Sequence, residues 1–190
     1  MPMGSLARIN AEVIKKVVLV MRSDSSIKGL TKTAMMAAII FVGIYLIKIP
    51  VPNGYTHLGD CMIFLGVILL GTKRGALAGG VGGALSDLLA GYMHWVFPTL
   101  IIKYLMAFLM GLFIDKIMPN AKWNWLVGAI VGGIVQCVLY TLGDCVMFGV
   151  AAAIVGIPGI IMQTAWGILF AGVLLAVLKK SGALAKLKEM

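Results

Sequence analysis

The chain has 190 residues with a formal charge of +9, 61% hydrophobic and 12% charged residues, and a mean hydropathy of +1.04. Ordinary soluble domains hold roughly 45–50% apolar and about 25% charged residues, so a disordered chain, a coiled coil and a solvated globular domain are excluded. The excess positive charge sits at the ends of apolar runs, with no aromatic and basic interleaving, and so reads as membrane orientation rather than a nucleic-acid surface.

Residues 1–28 form a basic amphipathic N-terminal segment, in which Ile9, Val13, Val17 and Leu19 mix with Arg8, Lys15, Lys16 and Arg22. Such a stretch suits the headgroup boundary. Lys15 and Lys16 interrupt its apolar run, so no cleavable signal peptide is expected. The membrane domain, 29–180, carries six apolar segments: 30–49, 57–71, 75–92, 96–117, 123–148 and 157–178. The second and third are short and separated only by Thr72, Lys73 and Arg74, which predicts a tight helical hairpin. Continuous rather than alternating apolarity excludes a β-barrel. Residues 181–190 form a basic C-terminal tail. The expected fold class is therefore an all-α integral membrane protein with six transmembrane helices.

Orientation comes from the cations. The N-terminal segment, the second and fourth connections (Lys73, Arg74; Lys116, Lys122) and the tail (Lys179, Lys180, Lys186, Lys188) hold all but Lys48 and Lys103 of the 16 Lys and Arg. This alternation places both termini in the cytoplasm.

A charge inside a span costs at least ~2.5–3.5 kcal/mol on insertion scales, which makes each a functional candidate. On the assigned topology Asp60, Asp87, Lys103 and Asp144 occupy the outer halves of four different helices. Gln163 and Thr164 enter the sixth from the same side, and the outer connections add Asn53, Tyr55, His57, Tyr92, His94 and Trp95. Gln136 and Asp115 are left to the inner half. These groups predict an outward-facing pocket with an acidic surplus, suited to a small cationic or protonable ligand. The plainer alternatives are an Asp87–Lys103 structural ion pair, interface anchoring by His57, His94 and Trp95, and helix-end capping by Asp60 and Asp144.

Other features carry less. Leu58-Gly59-Asp60-Cys61 recurs as Leu142-Gly143-Asp144-Cys145, yet an inverted repeat would put the two Asp on opposite sides, so the recurrence reads as coincidence. The glycines of 75–83 and Gly128 and Gly132 suit close helix packing. Ala34, Ala37 and Ala38 give the first span a flat patch on its cytoplasmic half. Gly66 to Lys73 approaches a phosphate loop, but its last residues are in the wrong order and it lies in a membrane helix. No H-E-x-x-H or G-x-S-x-G occurs, and Cys61, Cys137 and Cys145 show no metal spacing. Catalysis, a metal and a bound cofactor are not expected.

Gly54-Tyr55-Thr56-His57-Leu58-Gly59-Asp60, Leu70-Gly71-Thr72-Lys73-Arg74-Gly75-Ala76-Leu77-Ala78-Gly79-Gly80, Ser86-Asp87-Leu88 and Pro98-Thr99-Leu100-Ile101-Ile102-Lys103 together resemble the substrate-binding S components of energy-coupling factor (ECF) vitamin transporters, in the riboflavin-type group, over residues 28–180. The resemblance implies six helices in a bacterial cell membrane and an external vitamin site. It also implies an Ala-x-x-x-Ala motif, matched by Ala34 and Ala38, that docks on a membrane scaffold (T) subunit. Two ATPase subunits would supply the energy, so ATP is used by partners and the chain itself is not an enzyme. A stand-alone secondary transporter is the alternative class, but it would need an inner polar path. Substrate-binding candidates are Asn53, Tyr55, His57, Asp60, Asp87, His94, Lys103, Asp144 and Gln163. Within this reading Asp60 and Asp144 face a ligand proton, while Lys103, paired with Asp87, orients a hydroxyl. Few outer aromatics (Tyr55, Tyr92, Trp95, Tyr140, Trp166) and the acidic surplus favour vitamin B6 (pyridoxine or pyridoxamine). Thiamine or its pyrimidine precursor follows, then riboflavin.

Overall fold

A computed structural model describes residues 26–51 and 54–189. The chain divides into two compact units, Met1–Lys32 and Thr33–Met190. Of the first, only 26–32 are described, and they are helical; the remainder of the predicted amphipathic segment, and Asn53, lie outside the described residues.

In chain order, α1 is Ser26–Leu46. Strands β1 (Lys48–Val51) and β2 (Gly54–His57) follow, then α2 (Asp60–Leu70), α3 (Thr72–Leu89), α4 (Val96–Leu112), α5 (Asn124–Phe148), α6 (Val150–Lys180) and α7 (Ala183–Glu189). A 3₁₀ turn, Met93–Trp95, leads into α4, and a π turn, Phe113–Ile117, ends it. The strands pair antiparallel, Lys48 opposite His57 and Val51 opposite Gly54. The rest of the described fold is mostly helical, as expected, and this short hairpin is a local addition: Ile49, Val51, Tyr55 and Thr56 favour extended backbone, and Pro50 has no amide proton for a helix.

Four described helices are long and apolar enough to cross a membrane: Ser26–Leu46, Met93–Ile117, Asn124–Phe148 and Val150–Lys180. Helix α2, with 11 residues, rises only about 16 Å against a hydrocarbon core of ~30 Å. It sits within the bundle, with Cys61, Ile63, Phe64, Leu65 and Val67 buried, and packs on α3, α4 and α6. Helix α3 packs on α4, α4 on α5 and α5 on α6, and α2 links α6 back to α3.

Two connections differ from expectation. Gly71 alone turns α2 into α3, and Gly149 alone turns α5 into α6, at φ +81° and +89°, a region glycine enters without penalty. Thr72, Lys73 and Arg74 therefore open α3 rather than forming a loop, and residues 150–156 belong to α6. The C-terminal tail is likewise helical over Ala183–Glu189.

The polarity of the bundle is inverted relative to a soluble protein. Phe97, Val146, Leu46 and Ile134 are exposed while Asp60, Lys103, Gln136 and Ser86 are fully buried. An apolar exterior around polar interior groups is the arrangement hydrocarbon requires. It agrees with the composition: this is a membrane protein with several spanning helices.

Candidate functional site

Helical periodicity gathers the polar side chains. On α5, Gln136, Tyr140 and Asp144 recur every four residues and share a face; on α4 so do Thr99 and Lys103, and on α3 Gly83 and Asp87. Helix α6 supplies Gly156, Gly159, Ile160 and Gln163, around Pro158, whose missing amide proton leaves a gap in the ladder. These faces meet below the hairpin. They enclose a cavity of about 80 Å³ lined by Tyr55, Thr56, His57, Asp87, Tyr92, Trp95, Thr99, Tyr140, Asp144 and Gln163, with Ile44 and Val51 as apolar wall.

Beneath the cavity lies a closed polar network joining four helices. Lys103 Nζ donates to Asp60 Oδ1 at 2.5 Å and to Gln136 Oε1 at 2.7 Å. Gln136 Nε2 donates to Asp60 Oδ2 and to Thr164 Oγ1, both at 2.9 Å, and Gln163 Nε2 donates to Asp60 Oδ2 at 3.1 Å. Gly167 lets α6 approach: a Cβ there would stand 2.7 Å from Asp60 Cβ, so only glycine fits.

This geometry corrects the expected pairing. Lys103 joins Asp60, not Asp87, because α2 packs against α4 and brings Asp60 beside it. Asp60 and Lys103 are both fully buried, and neither is among the residues that line the cavity. Gln136, assigned to the inner half, is part of the network.

The cavity wall is built on Asp87. Tyr55 Oη donates to its Oδ1 at 2.5 Å, and nearby Tyr140 Oη donates to Thr99 Oγ1 at 3.1 Å. Burial and the neighbouring Asp87 charge push the Tyr55 hydroxyl upward, which keeps it a donor. Aromatic rings continue the wall, Tyr55 to Tyr92 at 5.1 Å and Trp95 to Tyr140 at 5.2 Å between centroids. Lys48 Nζ lies 3.8 Å from the Tyr45 ring centroid and 4.9 Å from that of Tyr55, a pair of cation–π contacts at the hairpin base. His57 accepts a hydrogen bond at Nδ1 from the Gly59 amide, 3.1 Å. Burial and the Lys103 charge hold its imidazole down at about 3. The ring is therefore neutral with its proton on Nε2.

Of the candidates, Tyr55, His57, Asp87, Asp144 and Gln163 line the cavity. His94 is exposed and packs edge-on against Phe148 at 5.6 Å, outside the lining. Trp95, also considered as an interface anchor, is 7% exposed and part of the wall. Trp166 is exposed on α6, stacked on Phe170. Thr56, Thr99 and Tyr140 also line the cavity and are not among the binding candidates of the sequence reading. The four-residue spacing from Lys103, Gln136 and Asp144 was the signal that could have found Thr99 and Tyr140.

At the opposite end, Thr72 Oγ1 donates to Asp115 Oδ2 beside Lys73, Arg74 and Lys116. Ala34 and Ala38 are exposed on α1, whereas Ala37 is buried with its carbonyl against Gly82 of α3. The alanine patch thus splits between an outward face and the core.

Residues 24–180 match the family described as ECF-type riboflavin transporter, S component. A Lactococcus lactis subsp. cremoris protein named thiamine precursor transporter HmpT is 32% identical over 167 residues, 85% of this chain and 93% of that protein. A Pyrococcus woesei protein described as uncharacterized is 36% identical over 140 residues, 71% of this chain and 90% of that one. A solved structure described as "Structure and mechanism of the S component of a bacterial ECF transporter" matches with a TM-score of 0.67 and 17% identity, over 82% of this chain and 97% of that chain; the two share a fold.

Proposed function

The chain belongs to the S components of ECF-type transporters, substrate-binding transport subunits rather than enzymes, and from that premise we propose that it captures a single-ring, protonable heteroaromatic vitamin precursor. The pyrimidine precursor of thiamine is the first choice. The observation that carries this reading is the aromatic cavity with two carboxylates, Asp87 and Asp144, in its lining. Aromatic faces attract a flat, electron-poor ring, and carboxylates attract its proton and amine. Its volume of about 80 Å³ is roughly half the ~150 Å³ that holds a benzene ring. A single ring is therefore the ligand size nearest to this cavity, whereas a tricyclic flavin needs several times the space.

Sequence reasoning ranks vitamin B6 first. Likeness to HmpT over nearly its whole length supports the thiamine precursor instead, and the same wall and carboxylates keep pyridoxine and pyridoxamine as the second reading.

In this proposal α1 to α6 all belong to the membrane domain of a bacterial cell membrane, with both termini cytoplasmic and the hairpin end outward. The cavity then faces the medium, while Lys73, Arg74, Lys116, Lys179 and Lys180 meet the anionic inner leaflet. Ile44 lines the cavity, and Ala34 lies ten residues earlier on α1, about 15 Å away along the axis. Ala34 and Ala38 are therefore a docking face for the T subunit, separate from the pocket. Two ATPase subunits hydrolyse ATP, and the chain needs no cofactor of its own.

Calorimetric titration of the purified chain with the thiamine pyrimidine, thiamine, pyridoxine, pyridoxamine and riboflavin tests the ligand class. The expected order is pyrimidine tightest, with Asp87→Asn and Asp144→Asn each at least tenfold weaker, about 1.4 kcal/mol. Tight riboflavin binding without a response to the single-ring ligands would overturn it.

A further inference from the structure

The Asp60–Lys103 pair lies under the cavity without reaching it, and its consequence for ligand choice runs through Gln163. An amide side chain can present either its oxygen or its nitrogen, and only its partners decide which. Gln163 Nε2 donates to Asp60 Oδ2 at 3.1 Å. Asp60 carries Lys103 at 2.5 Å and the Gln136 amide at 2.9 Å, so it is an ionised acceptor. Turning the Gln163 amide over would set its oxygen against that carboxylate, two acceptors face to face in a buried site.

The nitrogen is therefore committed downward and the oxygen upward. Thr56 Oγ1 is that oxygen's hydrogen-bond donor, at 3.3 Å, and the same hydroxyl stands 3.4 Å from the Gly159 carbonyl. One proton shared between two acceptors at the long limit of hydrogen bonding holds neither strongly. Gln136 differs: its oxygen takes Lys103 and its nitrogen serves Asp60 and Thr164, so it is saturated within the network. Gln163 is the amide that lines the cavity.

We propose that Gln163 Oε1 is the acceptor that reads an N–H donor on the ligand, and that Asp60, held by Lys103, is the positioning residue that fixes this polarity. The assignment rests on the single-ring reading above and refines it: the ligand carries an exocyclic amine, and an analogue with a carbonyl in that place meets an acceptor. A site built to pair one group rejects the analogue lacking it far more strongly than a loss of apolar contact would.

The test measures Kd for the thiamine aminopyrimidine and for its 4-oxo analogue, with thermal midpoints recorded alongside. The full-length chain should favour the amine at least tenfold. Gln163→Met, close in size but without the amide, should keep its midpoint within a few degrees and reduce the preference to threefold or less. Asp60→Asn, which can turn to offer Gln163 either atom, should erode the same preference through a residue that touches no ligand. Equal binding of the two ligands by the unmodified chain, or an unchanged preference in Gln163→Met, would overturn the assignment to Gln163. An unchanged preference in a folded Asp60→Asn would overturn the role of Asp60. If the unmodified chain binds neither pyrimidine, the ligand class itself fails and this assignment with it.

Discussion

Replacing Lys103 by Met removes a fully buried ammonium from its 2.5 Å contact with an equally buried carboxylate. Asp60 keeps the amide donors of Gln136 and Gln163, but its charge then has no cation in a low-dielectric interior. Breaking a buried pair from one side costs about 3–5 kcal/mol. For a chain of this length each kcal/mol moves the midpoint roughly 2–4 °C, so Lys103→Met should lower it by roughly 6–20 °C. Asp60→Asn alone leaves the ammonium stranded and should cost a similar amount. The double variant removes both charges while the Asn oxygen still accepts from the amides, and it should regain at least about 2 kcal/mol relative to the sum of the singles. Unfolding in detergent micelles, followed by circular dichroism across the four proteins of the cycle, reads these values. Additive single losses, or a Lys103→Met loss below about 1 kcal/mol, would refute the buried pair as the tie between α2 and α4.

Other expectations can be checked with the same protein. Phe at Ala34 or Ala38 should abolish uptake in vesicles containing the complete transporter, while ligand binding to the isolated chain stays within about twofold; parallel loss of both would assign these alanines to packing inside the bundle. Met93→Cys should react with an impermeant maleimide from outside, and Lys73→Cys and Asn120→Cys from inside; inside labelling of position 93 would reverse the topology and the access to the cavity. For His57 the folded value is about 3 and the ordinary value 6.5, so as pH falls the unfolded chain takes up the proton first. Its contribution is intact above pH 6.5 and declines toward pH 3 by up to ~1.4 kcal/mol per unit. The thermal midpoint should therefore drop more steeply below pH 6.5 in the unmodified chain than in His57→Gln, and identical slopes would refute the neutral buried imidazole.

Composition and apolar run length determined the membrane class, because hydrocarbon admits few charges and only internally bonded backbone. The same reading located the helices α1, α4 and α5 within a few residues, and it named five of the cavity-lining polar side chains: Asp87, Asp144 and Gln163 as polar groups in apolar runs, Tyr55 and His57 from the outer connections. Tertiary structure alone decided the partners. Asp60, Asp87 and Asp144 are alike in sequence as lone acids near helix ends. Only the packing of α2 against α4 and α6 sends Asp60 to Lys103 and leaves Asp87 and Asp144 to the cavity. Gln136 looked distant because depth along a helix was read without azimuth; its face, shared with Tyr140 and Asp144, turns it toward α2. Pairing depends on which helix faces crowd together, and that is set by small residues such as Gly167, where the α6 backbone presses on Asp60. Spacing along one helix fixes a direction, whereas the neighbour met in that direction belongs to the packed bundle.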